Sequence, residues 1–183
     1  MGAMRILLTN DDGIDSIGLH VLARAMRAHG DVVVIAPDQE YSGAGAALGA
    51  LHLIQPSVCR HQLDGIDEAW SVSGPPALCV MFARLGAFGP KFDLIVSDIA
   101  PNITGIASAD QASSIYFLEL ALDTVRETLK SGATFVAKMF QGAGSDDWIK
   151  DLRGSFQKVS IRKPAASRPE SREVYVVAKG FKG

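Results

Sequence analysis

Apolar residues along the chain alternate between short continuous runs and stripes with helical spacing. The run MRILLTN (4–10) ends in the polar segment NDDG, which predicts a buried parallel strand followed by a loop. A stripe typical of an amphipathic helix follows, formed by Ile17, Val21, Leu22, Ala25 and Met26. DVVVIAP (31–37) is a second β-branched run that ends at a proline. Strand, helix and strand in this order predict a βαβ unit with a right-handed crossover.

The same alternation continues to the end of the chain. It predicts helices at 74–89, around 118–129 and at 146–156, and strands at 92–98, 133–140, 156–164 and 172–181. Residues 41–50 form a small-residue loop that could open a helix, and 51–72 is expected to be irregular or β. We therefore predict one α/β domain over residues 1–183. It should be a three-layer, doubly wound, Rossmann-like fold with a mostly parallel sheet.

Composition narrows the protein class. The chain has 183 residues, 48% hydrophobic and 21% charged, which is ordinary for a soluble globular domain. No run reaches the roughly 20 apolar residues of a membrane span. Cys59 and Cys79 lack CxxC spacing, so a reduced, cytoplasmic protein without structural zinc is expected. The first three residues, MGA, resemble a cloning remnant.

Basic residues are distributed unevenly. No lysine precedes Lys91, and nine basic residues stand against three acidic ones from Lys150 to Lys182. Such asymmetry is typical of a basic segment for nucleic acid. It also favours a second interpretation, in which the two parts of the chain have different origins.

The first candidate site is the NDDG segment after the first strand. Ligands of open α/β sheets collect beyond the carboxyl ends of the strands, where Asp11 and Asp12 are predicted to lie. Adjacent carboxylates repel each other unless a cation neutralises them, and oxygen ligands suit Mg²⁺ or Mn²⁺. Asp-Asp-Gly is equally good turn chemistry, so a plain turn remains the alternative.

The segments MRILLTNDDG, APDQEYSGAGAAL and SVSGPPALCV resemble the SurE family of survival-protein nucleotidases and phosphatases over residues 4–97. The resemblance implies a divalent metal, Mg²⁺ or Mn²⁺, held by Asp11, Asp12 and Ser42. It also implies a phosphate contact from Asn10 and Ser42. The metal would activate water for hydrolysis of a nucleotide monophosphate.

The SurE-like pattern fails at its last metal ligand. The asparagine that this family carries after the fourth strand falls on Ala100, within SDIAPNITG. Asn102 or Asp98 could replace it as an oxygen ligand.

The second half resembles a different family, the FtsJ or RrmJ type of ribosomal RNA 2′-O-methyltransferases. DLIVSDIAPNITG, YFLELALDTVRETLKSGATFVAKMFQG and VSIRKPAASRPESREVYVVAKGF carry the likeness over residues 93–183. The resemblance implies a Lys-Asp-Lys-Glu catalytic set, in which Asp98, Lys138 and Glu173 match the last three members. A lysine can remove the proton of a ribose 2′-hydroxyl, while carboxylates orient that lysine.

The same resemblance places a group of basic residues near RNA phosphates, namely Arg162, Lys163, Arg168 and Arg172. Two structural alternatives stand beside the catalytic interpretation. Lys138 could extend from the end of an apolar strand to solvent, and Glu173 could be an ordinary partner of Arg172.

Two features of the methyltransferase pattern are missing. TNDDGIDS (9–16) stands where that family has a glycine-rich loop for S-adenosylmethionine, and no lysine precedes the first strand. From these losses we expect neither S-adenosylmethionine binding nor methyl transfer.

The leading hypothesis is an engineered or recombined chimera, SurE-like at 4–97 and FtsJ-like at 98–183, joined inside one strand. It would have little activity of either family beyond residual metal-dependent 5′/3′-nucleotidase character, and exposed faces could drive self-association. The alternative is an S-adenosylmethionine-dependent ribosomal RNA 2′-O-methyltransferase, or an RNA-binding remnant of one.

Overall fold

A computed structural model describes residues 2–41, 55–100, 105–165, 167–168 and 171–183. The described strands are β1 (Arg5–Asn10), β2 (Asp31–Pro37), β3 (Val58–Leu63), β4 (Ile66–Val72), β5 (Phe92–Asp98), β6 (Leu129–Phe140), β7 (Phe156–Arg162) and β8 (Glu173–Phe181). The described helices are α1 (Ile17–Met26), α2 (Pro76–Arg84), α3 (Ala107–Thr128) and α4 (Ser145–Ser155). No helix in these ranges is long and apolar enough to cross a membrane.

All eight described strands form one sheet with the order β3-β4-β2-β1-β5-β6-β8-β7. The five strands from β4 to β6 are parallel. Antiparallel pairs close both edges, β3 with β4 at one edge and β6, β8 and β7 at the other. The predicted Rossmann-like fold with a mostly parallel sheet is confirmed.

Side chains of the central strands alternate between two apolar cores, as expected for strands covered on both faces. On one face, Leu7 of β1 packs in the same cluster as Leu78 of α2, Leu122 of α3 and Leu152 of α4. On the other face, Ile6 and Leu8 pack in a smaller cluster with residues of α1. Three helices therefore cover one face of the sheet, and α1 covers part of the other.

Helix α1 is present where predicted, but its buried face differs from the expected stripe. Ile17 and Val21 are 80% and 56% exposed, whereas Leu19 and Ala23 are buried. The i, i+4 pair Leu19 and Ala23 faces β1 and β2 because it packs in one cluster with Ile6 and Leu8. The Ser16 side chain accepts from the Leu19 N–H at the start of the helix. Two apolar residues of the predicted stripe were thus assigned to the wrong face.

The segment 51–72 contains two strands where the structure describes it, which is the β alternative of the prediction. Strands β3 and β4 form a hairpin, and Gly65 adopts a positive φ of 70° in the turn between them. Strand β4 also pairs in parallel with β2, so the hairpin extends the main sheet. The predicted loop at 41–50 lies outside the described residues, apart from Tyr41.

Strands β1 and β5 lie side by side at the centre of the sheet. Their parallel register runs from Ile6 opposite Leu94 to Asn10 opposite Asp98. The strand order reverses direction between these two strands, which is the place where open α/β sheets bind ligands. The proposed seam at 93–97 therefore lies inside a continuous, buried sheet.

We predict that this sheet unfolds as one cooperative unit. Trp70 in β4 and Trp148 in α4 report on opposite ends of the sheet, and each has a buried indole N–H without a partner among the described residues. The variant Trp70→Phe keeps Trp148 as its only tryptophan, and Trp148→Phe keeps Trp70. Neither substitution removes a hydrogen bond seen among the described residues. For each variant, urea unfolding followed by the fluorescence of the remaining tryptophan should give the same midpoint as circular dichroism of that variant. A fluorescence midpoint that differs from the circular dichroism midpoint of the same variant would show two independently folding parts.

Candidate active site at the carboxyl edge of the sheet

A lysine, an aspartate and a tyrosine meet at the carboxyl edge of β5 and β6. Asp98 ends β5, and its neighbour Ser97 pairs with Ala137 of β6, so Lys138 lies beside Asp98. The Lys138 Nζ is 3.1 Å from Asp98 Oδ1. The Tyr175 hydroxyl donates to the same carboxylate oxygen at 2.8 Å, from the position on β8 opposite Lys138. One carboxylate oxygen thus fixes two functional side chains.

This group is half-buried. The side chain of Lys138 is 15% exposed and that of Asp98 is 33% exposed. Burial, followed by the hydrogen bond to Asp98, raises the pKa of Tyr175. Tyr175 therefore stays a neutral donor across the physiological pH range, and solvent retains access to the pair.

Glu173 lies on the same face of the sheet as Lys138. It pairs with Phe140 in the β6–β8 register, two residues from the Lys138–Tyr175 pair. Diagonal neighbours of this kind lie about 7 Å apart. The Glu173 carboxylate accepts from the Ser171 hydroxyl at 3.3 Å, and among the described residues no ion pair joins it to Arg172. The three residues predicted as catalytic are therefore brought to one edge of the sheet.

Asp11 joins this edge from the loop after β1. It is 7% exposed, and its Oδ1 accepts from the Ala100 N–H at 3.3 Å. Burial raises the pKa of Asp11 from 3.8 to about 6, against the opposing positive charge of Lys138 and with a further increase from Asp12. Lys138 therefore acts electrostatically on carboxylates of two neighbouring strands.

A crevice of about 550 Å³ opens next to Asp11, between the loop after β1 and the loop after β2. It is lined by Asp12, Gly13, Asp15, Ser16, Ile17, Asp38, Gln39 and Glu40. Gly13 has a φ of 95°, and a Cβ there would lie 2.8 Å from the Gln39 carbonyl carbon. The two loops are therefore in direct contact, and four carboxylates give the crevice a negative charge.

Asn10 lies below this crevice with an unused hydrogen-bonding atom. Its Nδ2 donates to the Ser16 hydroxyl at 3.0 Å, which ties the end of β1 to the start of α1. Its Oδ1 is buried and has no partner among the described residues. A buried polar atom without a partner is costly unless a ligand or water satisfies it.

The predicted metal site stays a prediction. Ser42 and Asn102 lie outside the described residues. Within the ranges that the structure describes, no group of three or more His, Cys, Asp or Glu is arranged to hold a metal ion. The side chains of Asp11 and Asp12 lie in different environments. Asp11 is buried and accepts from the Ala100 N–H, whereas Asp12 is exposed in the crevice.

The four predicted RNA-contact residues are all exposed at the end of β7 and in the loop before β8. Lys163 donates to the Ser171 carbonyl at 2.8 Å, which holds this loop close to Glu173. Tyr175 and Asp38 were not singled out from the sequence. Tyr175 lies two positions from Glu173, and period-two alternation along the strand would have placed it on the same face.

The buried carboxylate of Asp11 should make stability depend on pH. The pKa of Asp11 is about 6 in the folded state, whereas its ordinary value is 3.8. At a pH between these two values, the folded state keeps a proton that the unfolded state has released. Stability then falls as the pH rises through this window and stays lower above it. Asp11→Asn should raise the free energy of unfolding at pH 8 by about 2 kcal/mol. The gain should vanish near pH 4 in urea titrations.

Asp12→Asn is the control for this prediction, because Asp12 is exposed and should show little change at either pH. An equal gain for Asp11→Asn at pH 4 and pH 8 would contradict the assigned cause.

Comparison with known proteins identifies a methyltransferase family. The sequence profile of the FtsJ-like methyltransferases matches residues 25–181. A ribosomal RNA large subunit methyltransferase E from Stutzerimonas stutzeri is 67% identical over 123 residues, which are 66% of this chain and 60% of that protein. A second ribosomal RNA large subunit methyltransferase E, from Chromohalobacter salexigens, is 56% identical over 95 residues, which are 52% of this chain and 45% of that protein. The chain thus spans only about half the length of these relatives.

Solved structures agree on the fold. A protein from Plasmodium falciparum described as a ribosomal RNA methyltransferase aligns with a TM-score of 0.62 at 21% identity, over 97% of this chain and 87% of that one. Human methyltransferase-like protein 13, solved in complex with SAH, aligns with a TM-score of 0.57 at 13% identity, over 97% of this chain and 72% of that one. These likenesses concern the fold alone.

The matches correct four expectations from the sequence. The chimera hypothesis, the residual nucleotidase character, the exclusion of methyl transfer and the exclusion of S-adenosylmethionine are wrong, because one methyltransferase profile runs through both supposed halves. Residues 1–24 lie before the matched range. The chain belongs to the FtsJ-like methyltransferase family.

Proposed function

We propose that the chain carries the catalytic fold of an S-adenosylmethionine-dependent 2′-O-methyltransferase that acts on ribosomal RNA. The observation that supports this most directly is the Lys138–Asp98 pair at 3.1 Å, placed beside Glu173 at the carboxyl edge of the sheet. The relatives bear the name ribosomal RNA large subunit methyltransferase E. Their substrate is part of the proposal here, because the chain spans only part of their length.

Lys138 is the residue that we assign to the ribose 2′-hydroxyl. In its neutral form its amine accepts the hydroxyl proton, and in its charged form it stabilises the oxygen that has lost the proton. Asp98 holds the amine in position at 3.1 Å, and Tyr175 holds the carboxylate through its 2.8 Å hydrogen bond. Glu173 adds a second negative charge on the same face and would orient the incoming ribose.

The crevice beside Asp11 fits the methyl donor. S-adenosylmethionine carries a sulfonium and an ammonium against one carboxylate, so a crevice lined by four carboxylates complements its net positive charge. Asp38 directly follows β2, the position from which an acidic residue binds ribose hydroxyls in this fold class. Asn10 has the unpartnered oxygen needed to accept from an amino group. When bound, the donor supplies an electrophilic methyl group.

RNA is the partner that the exposed basic residues of the β7–β8 loop favour. Arg162, Lys163, Arg168 and Arg172 lie on the side of the site where Glu173 begins β8. Contacts of this kind bind phosphates without reading sequence. They would bring an RNA strand to the edge where Lys138 and Asp98 meet.

Removal of the Lys138 amine should abolish catalysis. We expect Lys138→Ala to lower methyl transfer to ribosomal RNA from a labelled donor by about 100-fold or more. Tyr175→Phe should cost about 10-fold, because the carboxylate loses one of its two partners. Lys130→Ala is the matched control, since Lys130 pairs with Asp93 on the same two strands at the opposite edge. Equal rates for Lys138→Ala and Lys130→Ala would refute the catalytic assignment.

Cofactor binding should depend on a different residue. We expect Asp38→Ala to weaken the binding of S-adenosylhomocysteine about 10-fold in calorimetry, through loss of the ribose contact. Lys138→Ala should leave that affinity unchanged, which separates binding from catalysis. Asp31→Ala is the control, since Asp31 is exposed at the other end of the same strand. Wild-type protein that fails to bind the compound would overturn the proposed cofactor site.

A further inference from the structure

One part of the sheet has no described helix over it. Helices α2, α3 and α4 contribute buried residues to the same core as Phe135 of β6 and Val176 of β8, and α1 packs on β1 and β2. The opposite face of β6, β8 and β7 is half-buried or exposed. It consists of Thr134, Val136, Lys138, Phe140, Lys158, Ser160, Arg162, Glu173, Tyr175, Val177 and Lys179. We call these residues the open face.

Two lysines of the open face lie directly opposite each other. Lys158 of β7 pairs with Lys179 of β8 in the antiparallel register, and both are exposed. Like charges in directly opposed positions destabilise a sheet. Neither lysine forms an ion pair with a carboxylate among the described residues. The fold therefore retains a repulsive pair, which an anionic ligand would neutralise.

The cations continue from this pair toward the candidate active site. Arg162 of β7 lies opposite Tyr175, whose hydroxyl donates to Asp98. Lys179 and Tyr175 are four residues apart on β8, which corresponds to about 13 Å along a strand. A line of positive charge thus runs along the β7–β8 ribbon and ends at the residue that holds Asp98.

We propose that the open face binds the phosphate backbone of a single RNA strand, with the Lys158–Lys179 pair contacting phosphates away from the site and Arg162 contacting one next to it. This inference rests on the proposed function and adds to it a path for the substrate. The path starts from Arg162 beside the β7–β8 loop and extends beyond that loop, because Lys158 and Lys179 lie at the other end of the ribbon.

Charge favours RNA over a second copy of the chain as the occupant. A two-fold symmetric dimer places the same patch of both subunits in contact. Two open faces in contact would bring two Lys158–Lys179 pairs toward each other, which adds repulsion. A polyanion instead removes the repulsion within each pair and releases counterions.

The test is the salt dependence of RNA binding. The double variant Lys158→Gln/Lys179→Gln and the wild type would be titrated with a fluorescent single-stranded RNA between about 50 and 200 mM salt. If both lysines contact phosphates, the slope of log K against log salt should become shallower by about 1.4, and affinity at low salt should fall about 10-fold. The control is Lys150→Gln/Arg153→Gln, which removes two exposed positive charges from α4 on the opposite side of the sheet. It should leave the slope unchanged.

Several outcomes would overturn the proposal. An unchanged slope in the Lys158/Lys179 variant, with methyl transfer intact in the wild type, would reject the path while the proposed function stands. Equal changes in both double variants would show a non-specific effect of net charge. A wild-type dimer in sedimentation that the Lys158/Lys179 variant abolishes, with RNA binding unchanged, would make the open face an interface between copies. Absence of RNA binding, of S-adenosylhomocysteine binding and of methyl transfer in the wild type would remove the proposed function itself.

Discussion

The parallel pairing of β1 with β5 is the constraint on which the rest of the structure depends. It runs for five residue pairs through the middle of the sheet and ends with Asn10 opposite Asp98. Because both strands end at the same level, the loop after β1 and the carboxylate of Asp98 lie at one edge. The pairing of β5 with β6 then brings Lys138 to that edge. A register shift of one residue in either pair would turn Asp98 or Lys138 to the opposite face.

The central parallel strands β1, β2 and β5 could be predicted from the sequence because each is a short apolar run with few alternatives, whereas the mixed residues of β3 left the segment 51–72 open between irregular and β structure. The phase of α1 could not, since Ile17 and Val21 fit a helical stripe as well as Leu19 and Ala23 do, and only the strands beneath decide between them. The chimera hypothesis is wrong because one family profile runs through both supposed halves. Apolar β-branched runs report burial in a parallel sheet, and such burial is common to many families. Fold class was therefore better determined than ancestry.

The candidate site was predicted in part. Asp98, Lys138 and Glu173 were named from their motif, and the structure brings them to one edge. Tyr175 was missed because its role follows from cross-strand pairing, with Lys138 opposite it 37 positions earlier in the chain. The environment of Asp11 also depends on a distant backbone group, the Ala100 N–H. Local sequence shows which residues are chemically capable, whereas strand register decides which of them meet.

The uneven charge of the chain has a structural explanation that needs no second origin. The carboxylates that line the crevice belong to the loops after β1 and β2, on one side of the strand reversal. The opposed lysines of the open face, Lys158 and Lys179, belong to β7 and β8, on the other side. Under the proposed function, a cationic methyl donor and an anionic RNA strand would require fields of opposite sign within one molecule. The sheet separates these fields, and Lys138 lies between them, where its charge acts on both Asp11 and Asp98.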